Sequence, residues 1–130
     1  MLQRVVSSLE TFKKDLETTE AMRASELVPE GLDKKEYEHY LRGMVLGEKL
    51  AISTLERLKR ICEDSKEEYH MWLVKGQLET QEAREDTLTQ ELEALNKPDR
   101  TEDEECKMWG MVGKMFICKD LIERLKWVLQ

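Results

Sequence analysis

The sequence predicts an all-α protein of two tandem helical hairpins, and three observations predict it. The first is an internal repeat: Glu38, Gly43, Met44, Val45 and Glu56-Arg57-Leu58-Lys59 recur without gaps as Glu105, Gly110, Met111, Val112 and Glu123-Arg124-Leu125-Lys126. Those are eight identities over 38–59 against 105–126, where average residue usage yields roughly one or two. The second is composition: 38% charged, 6% aromatic, with 6 Gly and 2 Pro, the balance of a helical rather than an all-β chain. The third is a set of apolar seams spaced alternately by three and four residues, the period of coiled-coil packing. Upstream, Val5 and Leu9-Glu10-Thr11 match Val74 and Leu78-Glu79-Thr80. The duplication therefore spans 1–63 and 66–130 within a single domain, 1–130.

Four helices follow in order, at about 2–24, 34–63, 66–96 and 102–129. Helix one carries the seam Leu2, Val5, Leu9, Phe12, Leu16 and ends before Val28-Pro29-Glu30-Gly31, where proline cannot continue a helix and glycine supplies a turn. Helix two opens with Asp33 and Glu36 as a capping box. Its seam is Leu41, Met44, Glu48, Ala51, Leu55, Leu58, Cys62. Helix three opens with the pair Ser65 and Glu68 and runs Met71, Val74, Leu78, Gln81, Glu85, Leu88, Leu92, Leu95, stopping at Asn96-Lys97-Pro98. The break at Glu63-Asp64-Ser65 is the weakest. Its alternative is one continuous rod from 34 to 96, about 95 Å long. Helix four opens with Thr101 and Glu104 and runs Met108, Met111, Met115, Cys118, Ile122, Leu125, Leu129.

The two copies differ most along helix four. Arg42, Glu48, Lys49 and Arg60 of the first copy become Trp109, Met115, Phe116 and Trp127 in the second. Helix four is thus apolar well beyond one stripe, and such a helix is covered on several sides. Cover by another chain is the favoured expectation, with Met108, Trp109, Met111, Met115, Phe116 and Trp127 as the interface; burial at the centre of the monomer is the alternative. Gly43 and Gly47 in helix two, and Gly110 and Gly113 in helix four, each cost a helix about 1 kcal/mol against alanine. Close helix–helix approach is the reason expected for them. Glycines of a phosphate loop would follow a strand and precede a helix.

Chemistry of other kinds has no foothold. His39 and His70 belong to neither a His-x-x-x-His nor a Glu-x-x-His pair. Cys62, Cys106 and Cys118 have no metal or redox spacing and read as reduced, buried thiols of a cytosolic setting. No catalytic, cofactor or metal residues are expected. No apolar run is long enough to span a membrane, and the first residues lack the basic-then-apolar pattern of a signal peptide. The net charge is −7, which argues against phosphate-backbone binding. Acids crowd 77–105, while 106–130 is basic.

Residues Leu32-Asp33-Lys34-Lys35-Glu36-Tyr37-Glu38-His39-Tyr40-Leu41-Arg42-Gly43-Met44-Val45-Leu46-Gly47-Glu48, running on to Leu58, resemble small helical-hairpin proteins of tailed bacteriophages. In those, a glycine-containing turn leads into an Asp/Tyr-rich helix start and a Gly-x-x-x-Gly-like segment. The second copy matches loosely, with Lys114 in place of Gly47. The resemblance implies a phage origin, in the virion or the host cytoplasm. The expectation is a non-enzymatic assembly or adaptor protein that binds further copies of itself or a larger capsid, portal or neck protein, with no direct nucleic-acid or membrane partner. The alternative is a small acidic inhibitor that occupies a host protein's nucleic-acid or regulatory site through its 77–105 face.

Overall fold

A computed structural model describes all 130 residues. It contains α1 (Leu2–Ser25), α2 (Lys34–Glu63), a single 3-10 turn (Glu67–Tyr69), α3 (His70–Leu95) and α4 (Glu102–Val128), and no strand. Thr101 makes a full capping box: its hydroxyl accepts from the Glu104 amide, and the Glu104 carboxylate accepts from the Thr101 amide. Asp33 caps α2 by accepting from the Glu36 amide at 2.9 Å. Ser65 caps nothing, because the 3-10 turn intervenes and α3 starts at His70.

There is no rod. His70 is the reason, since its Nε2 donates to the Cys62 carbonyl, 2.7 Å away, at the end of α2. The imidazole thus adds a second, shorter bond to a helix-end carbonyl that the Ser65 amide also reaches at 3.2 Å, and ties the start of α3 to the end of α2. Met71, expected on the seam, falls just past this corner and is exposed. At the other bends, Gly31 adopts φ 86°, and Arg100 clasps the α3–α4 loop by bonding the Leu95 and Lys97 carbonyls and the Glu105 carboxylate.

Each hairpin is antiparallel. Lys13 meets Glu56 and Arg23 meets Glu38 across α1 and α2; the Cys118 thiol donates to the Gln81 carbonyl across α3 and α4. The hairpins join through α2 and α4, which form the principal interface of the molecule. These two helices run parallel and in register. Lys35 reaches Glu102, 67 residues on, and Gly43 lies against Gly110, related by the same offset. Equivalent residues of the two copies thus touch each other across a pseudo-twofold axis.

In a square four-helix bundle α2 and α4 would be diagonal partners, held apart by core side chains. Here the glycines collapse that diagonal. A methyl on Gly43 would overlap the Gly110 carbonyl, and one on Gly113 would overlap the Tyr40 carbonyl and stand 2.8 Å from the Met44 amide nitrogen. One on Gly47 would press on Ile117 at 2.8 Å. Below this contact, larger side chains fill the space where all four helices contribute: Val5, Leu9 and Phe12 from α1, Leu55 and Leu58 from α2, Val74 from α3, Leu121 and Leu125 from α4. A second cluster joins Leu88 of α3 to Met111, Met115, Cys118 and Ile122 of α4.

The glycines are therefore not equivalent to one another. Gly76, in α3, has open space around it, and a methyl on Gly110 would meet only the His39 carbonyl, at 3.6 Å. Urea unfolding should show Gly43→Ala and Gly113→Ala each losing about 1–3 kcal/mol through forced separation of the helices. Gly76→Ala should instead gain about 1 kcal/mol from helix propensity.

Candidate interaction surface

Helix α4 contacts every other helix, and this central place accounts for most of its unusual greasiness. Met111 and Met115, expected at an interface with another chain, are 4% and 8% exposed and belong to the core shared with α3. Met108 and Trp109 are half-buried. Trp127 packs on the main core, with the Arg4 and Arg124 guanidinium carbons 5.1 and 5.0 Å from its ring centre. Arg4 also donates to the Trp127 and Gln130 carbonyls at 2.8 and 2.6 Å, placing a cation at the negative end of α4. Of the six residues only Phe116 protrudes, at 55% exposure. Met111 and Met115 are thus covered from within the chain, and Met108, Trp109 and Trp127 only in part.

A different apolar surface is open. On α2, Leu46, Leu50 and Ile61 are 55%, 40% and 41% exposed. Their equivalents on α4 are Gly113, Ile117 and Val128, all buried. Gly113 and Ile117 are buried against α2 and Val128 in the main core, so this face is closed in the second copy and open in the first. On the closed flank α1 is tied to α4 by Arg4 and by Arg124, which donates to the Thr11 hydroxyl at 2.6 Å. On the open flank the lower end of the α2–α3 groove is lined by Leu58, Ile61, Trp72 and Leu73 together with the polar Lys75, Gln77, Glu79 and Thr80, with the Trp72 ring largely in solvent. This stripe was missed in the sequence because it lies off the seam; the signal was apolar residues at 46, 50 and 61 facing away from Leu41–Leu55–Leu58.

Glu48 and Glu85, the acids on the seams, find no cation. Glu85 is half-buried. Glu48 is wholly enclosed, with Oε1 2.7 Å from the Thr19 hydroxyl and Oε2 unpartnered. Burial pushes its carboxyl above the ordinary range; the Thr19 bond opposes this, and Asp15, Glu20 and Asp120 reinforce it. Thr19 has one hydroxyl proton and also sits 2.9 Å from the Asp15 carbonyl. The one hydroxyl proton is thus divided between the Asp15 carbonyl and Glu48 Oε1.

No group of three or more His, Cys, Asp or Glu side chains is gathered to hold a metal ion. All three cysteines are buried and unpaired, and burial raises the Cys62 and Cys118 thiols above their usual range, which disfavours the reactive thiolate. No helix is long and apolar enough to cross a membrane. Comparison with protein-family models, with curated proteins and with solved structures finds no match.

The raised Glu48 carboxyl carries a sign. Folding favours the protonated form, so its contribution is complete below the ordinary carboxylate range and is lost as pH rises through the shifted value. Glu48→Gln should therefore match the wild type in acid and exceed it at neutral pH by on the order of 1–3 kcal/mol, as read from urea midpoints across a pH series.

Proposed function

We propose that this chain is a non-enzymatic assembly or adaptor protein that works through helix-mediated protein–protein contacts. The observation that carries the reading is the open flank of α2. Leu46 and Leu50 lie one turn apart and exposed; farther along the same face, past exposed Ser53 and Arg57, Ile61 borders a shallow groove with Trp72. The matching stripe of the second copy is covered by the chain itself, which makes the exposed one a ready seat for a further helix. A second copy of this chain is the simplest occupant, because the second hairpin already packs on the first through equivalent residues. The resemblance of residues 32–58 to tailed-phage hairpin proteins supports a virion or virion-assembly setting, where a capsid, portal or neck protein would be the larger partner.

The acidic-inhibitor reading has one observation in its favour. Glu79, Glu82, Asp86, Glu91 and Glu93 are exposed on α3, and none of them belongs to an ion pair. Capture of a basic partner by such a face would weaken steeply with ionic strength, whereas an apolar contact would not.

Light scattering after size exclusion, over a concentration series, separates these readings. The wild type should run heavier than its 15.4 kDa monomer, and Leu46→Glu/Leu50→Glu should run as a monomer with unchanged helicity. A wild type that stays monomeric throughout and binds no purified virion component overturns the assembly role.

A further inference from the structure

A recess of about 130 Å³ opens where the Leu32 turn, the first turns of α2 and the α4 face meet. Leu32, Asp33, Glu36, Tyr37, Tyr40 and Trp109 line it. Three aromatic rings line it and its surface is almost wholly apolar; Asp33 and Glu36 border it, their carboxylates adding little polar surface. Neither carboxylate is paired with a cation: Lys35, between them in sequence, is committed to Glu102 at 2.6 Å. Asp33 uses Oδ1 to cap α2 and keeps its second oxygen. We propose that this recess binds the head group of an organic cation, an alkylammonium or a guanidinium.

Four features select that class. Ring faces are negative and hold cations within about 6 Å of their centres, most strongly when water is excluded. The two carboxylates add long-range attraction and repel anions, overriding the weak pull of the α2 N-terminus, whose charge Asp33 already answers. The volume is well under the several hundred Å³ of a drug-sized pocket, so one head group fits and an extended molecule does not. Tyr40 remains a neutral phenol, since burial and the neighbouring Tyr37 hold its ionisation above the usual range.

The duplication supplies an internal contrast. In the equivalent place of the other copy Lys107 stands for Tyr40 and Arg42 for Trp109. The groove there is lined by His39, Arg42, Lys107 and Lys114 and is basic. Divergence has thus turned one of two matched sites into an aromatic one bordered by acids and the other into a basic one. The inference stands on this recess alone and is independent of the assembly role, whose surface lies on the α2–α3 flank.

The test is an NMR titration read at the indole N–H signals, with Trp72 and Trp127 as internal controls. The probes are tetramethylammonium, methylguanidinium and the neutral isostere 3,3-dimethylbutan-1-ol. Saturable shifts of the Trp109 signal with a cationic probe, at least about tenfold tighter than with the neutral alcohol, are expected. Tighter binding of tetramethylammonium points to a quaternary amine as the natural ligand, and tighter binding of methylguanidinium to an arginine side chain. Asp33→Asn/Glu36→Gln, which retains a capping side chain, should weaken the cations and leave the alcohol unchanged. Equal binding of cation and alcohol, or no saturable shift at Trp109 in the folded protein, overturns the proposal.

Discussion

Everything in this molecule is arranged around one contact, the backbone-to-backbone approach of α2 and α4 at Gly43, Gly110 and Gly113. Side chains normally keep helix axes 8–10 Å apart, and their absence at Gly43 and Gly113 lets the two helices meet more closely. Helix propensity is lost at each glycine. In return the two hairpins acquire a fixed register, with equivalent residues facing each other. Packing farther along the pair then falls into place, because parallel helices in register bring Leu55, Leu58, Leu121 and Leu125 together under the flanking α1 and α3.

That arrangement also distributes the exposed chemistry. A flattened diagonal pushes α1 and α3 to the outside, each covering one groove of the central pair. Arg4 and Arg124 complete the cover on the α1 side by bonding the end of α4 and stacking near Trp127. On the α3 side the corner at His70 starts the helix late beside the open Ile61, and Leu46 and Leu50 are open farther along α2. At the upper end the copies have diverged instead into an aromatic recess on one side and a basic groove on the other. Two surfaces of different chemistry thus grow from one repeated scaffold.

Helix number, order and approximate ends were legible because local signals carry them: the Thr101 capping box, the Asp33 cap, the Pro29–Gly31 turn and the apolar spacing. Where α3 begins was not. That depends on a side-chain bond from His70 to the Cys62 carbonyl, eight residues back, which no spacing rule encodes. The reach of helix four across the fold was legible as greasiness, yet periodicity cannot tell burial by one's own chain from burial by a partner. Only the assembled fold separates Met111 and Met115, which are enclosed, from Phe116, which is not. Glu48 shows the same limit: a seam position announces burial, while its partner, Thr19, comes from the opposite helix of the hairpin.

Spin labels at the exposed positions Lys35 and Glu102 offer the most direct measurement of the central contact, with distances read by double electron–electron resonance. A parallel, in-register α2–α4 pair puts both labels at the same end of the molecule and gives a short, narrow distance distribution, which Gly43→Leu should lengthen and broaden. A separation near a whole helix length, about 40 Å, or a distribution that Gly43→Leu leaves untouched, would contradict the account.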